Sequence, residues 1–126
     1  RLEGLTKQYG VGTLVGEATR RAVKDVVFRE IDRVRVKGKD EPVSIHEPLA
    51  LEGDFDRARQ EELKLWNLAL RQFRGQEWDQ AELTLFNLQR MAPQCALYRI
   101  YSDQIAHYRR EPPGRDWDGV RTFETK

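Results

Sequence analysis

An α+β fold, with strands and helices in separate parts of the chain, is predicted by two periodicities within 126 residues. Val26 to Leu49 is rich in β-branched residues, alternates apolar with charged ones over much of its length and is interrupted by turn-forming types, the pattern of a β-hairpin. From Leu63 to Tyr108 apolar residues instead recur every three to four positions, the pattern of amphipathic helices.

Taken in order, Arg1 to Tyr9 places Leu2, Leu5 and Tyr9 at helical spacing, with Gly10 positioned to end the turn. Val11 to Val15 lies between Gly10 and Gly16 and predicts a buried strand, and Glu17 to Val23 a short helix. In the stretch Val26 to Lys37, Arg33, Arg35 and Lys37 share one face while Val34 and Val36 share the other. That parity fails before Arg33, which predicts a bulge near Asp32. Gly38 to Pro42 are turn residues, and Val43 to Leu49 is the returning strand.

The period lengthens after Glu52-Gly53-Asp54. Leu63, Trp66, Leu70 and Phe73 form one stripe ended by Gly75; Trp78, Ala81, Leu85 and Leu88 form a second, which must stop before Pro93. A third helix is predicted over 96–109, with Leu97, Tyr101 and Tyr108 on one side, before Pro112-Pro113-Gly114. In the polar tail, Trp117, Val120 and Phe123 are the residues able to fasten it. The predicted domains are 1–51 and 52–126.

Composition narrows the function classes. Lys and Arg total 22 against 21 Asp and Glu, a net charge of +1, so a protein held on nucleic acid by bulk charge is not expected. No apolar run reaches the roughly 20 residues needed to cross a bilayer, and direct membrane contact is not expected of this segment. The single cysteine, Cys95, excludes an internal disulfide, and with two histidines it makes a poor zinc set. Mean hydropathy of −0.76 is compatible with modest cores. Because the chain opens on Arg1 inside a helical pattern, a piece of a longer protein is expected.

Among candidate sites, Arg33, Arg35, Lys37 and Lys39 repeat every second residue around Gly38, and a lysine beside a glycine can reach phosphate oxygens as a compact charge. The same spacing suits a solvated outer face. Ala69, Phe73, Trp78, Ala81, Leu85 and Pro93 sit at offsets resembling one tetratricopeptide repeat, with a loop about one residue short and no second copy. A single such pair points to packing more than to a peptide groove. His46 reads as a half-exposed strand residue opposite Val43 and Ile45, and His107 as a favourable cation near a helix C-terminus. Cys95 has no recognisable catalytic partner, and Asp116 and Asp118 read as turn formers.

Three segments in order carry a family resemblance: Arg1-Leu2-Glu3-Gly4-Leu5-Thr6-Lys7-Gln8-Tyr9-Gly10, Gly16-Glu17-Ala18-Thr19, and Val36-Lys37-Gly38-Lys39 followed by Val43-Ser44-Ile45-His46-Glu47-Pro48-Leu49. Together they resemble the last part of a bacterial class III adenylate/guanylate cyclase catalytic domain, over residues 1 to about 50. The helical remainder, ending in Trp117-Asp118-Gly119-Val120, resembles the C-terminal extension of membrane-anchored bacterial cyclases. His46 departs from the pattern, standing where the family usually has an aromatic residue.

The resemblance implies the end of a cyclase-type antiparallel sheet followed by an all-α extension. It implies conversion of ATP to cyclic AMP and pyrophosphate between two catalytic domains of a homodimer, on the cytoplasmic side of a membrane. Arg1 would stabilise the transition state and Lys37 would grip the terminal phosphates. Two divalent metals, Mg2+ or Mn2+, would be held by residues upstream, as would the choice of purine, so this segment alone is expected to be inactive. The alternative is a non-catalytic protein-interaction module built on the helical pair, with the hairpin as scaffold.

Overall fold

The computed structural model describes residues 2–36 and 41–123. The fold is α+β: a four-stranded mixed sheet with short helices, and a stretch of three longer helices. Two compact units divide the chain. One runs to Asp56 and takes back the chain from Val120; the other is Arg57–Gly119.

In the first unit a 3-10 turn at Leu2–Leu5 leads into α1, Thr6–Tyr9, which ends on Gly10 in the left-handed region at φ 68°. Glycine adopts that conformation without steric cost, and the Val11 N–H then donates back to the Thr6 carbonyl at 3.1 Å. This winding of the helix end accounts for a correction. The strand expected over 11–15 shrinks to β1, Val15–Gly16, although Leu14 is buried. Next come α2, Glu17–Ala22, then β2, Val26–Val36, and β3, Val43–Leu51.

β2 and β3 pair antiparallel. Their register shifts between Glu30 and Asp32, where Ile31 is the extra residue, so the bulge falls where the parity of the sequence breaks. A second irregularity lies between Val27 and Phe28, opposite Ala50 and Pro48. Pro48 cannot donate to a ladder, and it sits beyond Ile45 and His46, the residues β1 pairs with.

The order of the sheet is β1-β3-β2-β4, where β4 is Val120–Phe123 running parallel to β2. The end of the tail is thus a strand, and Val120, one of the residues expected to fasten it, is buried. Its partner lies far back in the sequence, so no turn chemistry beside it announces the pairing. The sequence division at residue 51 also differs from the compact units. Glu52 donates its N–H to the Asp25 carbonyl at 2.9 Å, and the buried Phe55 follows, so this stretch stays with the sheet.

The second unit consists of α3, Arg57–Arg74, α4, Trp78–Met91, and α5, Ala96–Arg110. Its interior is the predicted set of stripes: Trp66, Ala69, Leu70 and Phe73 from α3, Ala81, Leu85 and Leu88 from α4, and Leu97, Tyr98, Tyr101 and Ile105 from α5. Trp66 packs edge-on against Tyr101 with ring centroids 5.0 Å apart, and Phe73 meets Tyr101 at 4.8 Å. Trp117 joins the same unit through Phe73 and Tyr108, at 5.6 and 5.1 Å. α3 ends just before Gly75, as the sequence predicts, and in the turn that follows Gln76 takes the left-handed conformation at φ 59°. Its side-chain amide donates to the Gly114 carbonyl at 2.6 Å. No helix among the described residues is long and apolar enough to cross a membrane.

Candidate functional site

Pairing across the hairpin assigns its side chains to two faces, since residues directly opposite in an antiparallel ladder share a side. Arg33 opposes Ser44, Glu30 opposes His46, and Arg29 opposes Glu47. One face therefore carries Ser44 and His46 with Glu30, Arg33 and Arg35. The other carries Ile45 and Glu47 with Arg29, Asp32 and Val34. Both basic residues of the predicted hairpin face that are described, Arg33 and Arg35, do lie on one side. Arg1, Lys37 and Lys39 lie outside the described residues.

β2 is an inner strand here. Arg33 stands beside Val120 and Arg35 beside Thr122, whose hydroxyl accepts from the Arg35 guanidinium at 3.4 Å. The Arg33 N–H donates to the Asp32 carboxylate at 2.8 Å, which fixes the backbone immediately after the bulge.

α2 covers the His46 face. Glu17 opens that helix, and Arg20 and Arg21 follow at i+3 and i+4, the spacing that brings side chains together on a helix. Arg20 donates to Glu17 at 2.5 Å and Arg21 at 2.8 Å. His46 Nε2 lies 2.8 Å from the same carboxylate. The Arg20 guanidinium beside it holds the Glu17 carboxyl at about 2, with Arg21 and His46 adding in the same sense and desolvation opposing. An ionised carboxylate only accepts, so His46 donates from Nε2. Glu17 in turn raises Arg20 above the ordinary arginine value.

His46 is a correction to the sequence reading: it is buried, not half-exposed, because α2 folds onto its strand. Its contact with Glu17, 29 residues away, has no signature of its own in the sequence. The signal present there was local, a glutamate three and four residues before two arginines.

The opposite face buries charge as well. Arg29 donates from Nη2 and Nε to Glu47 Oε1 at 2.5 and 3.1 Å, with side-chain exposures of 8% and 18%. The Tyr9 hydroxyl donates to Asp32 at 2.5 Å. Burial, then the Asp32 charge and hydrogen bond, push the Tyr9 phenol far above its ordinary value, and Arg121 opposes them. The Arg121 guanidinium stands 5.6 Å from the Tyr9 ring centre and 4.8 Å from that of Phe123.

Arg33 and Arg35 thus stand on one side of a strand that is paired on both edges, by β3 and β4, and guanidinium groups are the side chains suited to binding anions. Among the described residues no group of three or more His, Cys, Asp or Glu side chains is placed to hold a metal ion.

No family model matches the chain, and no solved structure matches it. Among curated proteins it is similar to an adenylate cyclase of Anabaena cylindrica, 49% identical over a 51-residue alignment that covers 37% of this chain and 10% of that protein. The chain thus spans about a tenth of the length of the curated relative it matches. That stretch supports a relationship to an adenylate cyclase.

Proposed function

We propose that this chain is part of an adenylate cyclase that converts ATP to cyclic AMP and pyrophosphate, and that its hairpin contributes to holding the triphosphate. The 49% identity to a cyclase over 51 residues carries the reading. In the reaction the ribose hydroxyl oxygen bonds to the α-phosphorus, its proton passing to water, as the bond to pyrophosphate breaks, and negative charge grows on the phosphoryl and leaving oxygens. Lys37, next in the alternation begun by Arg33 and Arg35, is the proposed contact to the terminal phosphates. Arg1 is the proposed stabiliser of the transition state, where a guanidinium lowers the barrier without proton transfer. Class III membership, homodimerisation through a second catalytic domain, Mg2+ or Mn2+ held upstream and a cytoplasmic, membrane-anchored parent belong to the same proposal.

The test is steady-state kinetics of the full-length protein with ATP and Mg2+ or Mn2+. Lys37→Ala is expected to raise KM for ATP about tenfold, and Arg1→Ala to lower kcat on the order of 100-fold with less effect on KM. Wild-type kinetics in both variants would overturn the assignment. The second reading, a non-catalytic interaction module, rests on the separate helical unit with Leu83 and Phe86 exposed on its surface. A full-length protein that forms no cyclic AMP with either metal favours it.

A further inference from the structure

α4 is apolar on two opposite sides, and only one is used. Ala81, Leu85 and Leu88 face the interior of the helical unit, whereas Leu83 and Phe86 on the far side are 62% and 55% exposed. Asp79, Leu83, Phe86 and Arg90 recur at intervals of four, three and four residues, a single outward stripe, and all four are exposed. An open depression lined by Asn87, Arg90 and Met91 runs beside it. The Arg90 guanidinium lies 6.0 Å from the Phe86 ring centre, so the cation leans along the stripe.

The stripe is self-complementary. When two copies of a helix pack antiparallel about a two-fold axis, facing residues have a constant sum of positions. The register that sets Leu83 against the second copy's Phe86 also sets Asp79 against the second copy's Arg90, and does so at both ends. Asp79 already accepts from Arg109 at 2.9 Å, yet its side chain remains 90% exposed, so its carboxylate is accessible to a second cation. The closed two-fold arrangement satisfies the apolar centre and both charged ends at once.

From this charge and apolar complementarity we infer that the outward face of α4 docks on the same face of a second copy of this chain, antiparallel, with Leu83 and Phe86 at the centre and Asp79–Arg90 pairs flanking them. The inference goes beyond the proposed activity and does not depend on it. One helix pair covers less than the ~1,200 Å² of a standard interface, so the association is weak, with a dissociation constant in the micromolar range or above.

Sedimentation velocity of the 126-residue chain over a concentration series, with far-UV circular dichroism confirming each variant's fold, tests this. The expected result is a rise in average mass from 14.8 kDa toward twice that value. Phe86→Glu should leave a monomer, and Asp79→Arg or Arg90→Asp alone should weaken association about tenfold by setting like charges together. The double variant Asp79→Arg/Arg90→Asp should restore it. A monomer at every concentration overturns the inference and leaves the face to another partner. Association that Phe86→Glu leaves intact, or a double variant as weak as the singles, overturns it too. A cyclic AMP assay reports separately on the proposed function.

Discussion

The sheet unit and the helical unit are stabilised by different chemistry. In the helical unit the deepest side chains are apolar or aromatic, with Trp66 wholly enclosed and touching Tyr98 and Tyr101 at 5.7 and 5.0 Å. In the sheet unit Arg29, Asp32 and His46 are buried among Ile31, Val34 and Ile45, and each polar group has a named partner. An apolar interior tolerates small errors of placement because dispersion and water exclusion are non-directional. A buried charge does not, since its desolvation is offset only while its partner is in place. The helical unit should therefore answer to volume, and the sheet unit to pairing.

The largest expected effect is on volume. Trp66→Ala should destabilise the helical unit by about 4 kcal/mol through lost burial and the cavity left between α3 and α5. Amide hydrogen exchange in those two helices measures it. A loss below about 1 kcal/mol would mean that the aromatic cluster does not hold this unit together.

The effect on pairing should be next in size and should have a distinctive signature. Glu47→Gln removes the carboxylate charge that pairs with the buried Arg29 guanidinium and should cost about 3 kcal/mol, read from exchange of the β2 and β3 amides. The double variant Arg29→Met/Glu47→Leu should recover most of that loss, because an apolar pair of similar volume carries no desolvation penalty. If the double variant is as unstable as the single, shape and not charge pairing governs this face, and the contrast between the units fails.

The same contrast explains what was legible in the sequence. Leu70, Phe73, Ala81, Leu85 and Leu88 announce their burial by period, since a helix face needs only local spacing to be recognised. The bulge near Asp32 was readable for a similar reason, as a break in local parity. His46 was misread because burial on both faces of a strand depends on which helix folds over it. The pairing of β4 with β2 was missed because it joins Arg33 to Val120, and nothing in four residues specifies so distant a partner. Of the candidate site, the shared side of Arg33 and Arg35 was legible as alternation. The contact of Glu17 with His46 was not, being 29 residues apart in sequence.

The smallest expected effect separates the units by pH. Glu17 titrates at about 2 in the folded protein against an ordinary value of 4.5, chiefly because Arg20 donates to its ionised form. A carboxyl held low when folded contributes stability that is complete above its unfolded value and is lost as pH falls through the folded one. The Glu17 contribution should thus be full at neutral pH, decline from about 4.5 and vanish near 2. Glu17→Gln should lower the thermal midpoint of the sheet unit slightly at pH 7 and match the wild type below pH 2, and added salt should shrink the neutral-pH difference because the cluster faces solvent. Since Gln retains acceptor and donor capacity, a difference that persists unchanged at low pH would indicate that shape at position 17, and not its charge, anchors α2 over His46. Trp66→Ala provides the reference: its cost should not follow this titration, because no proton binds or leaves at that site.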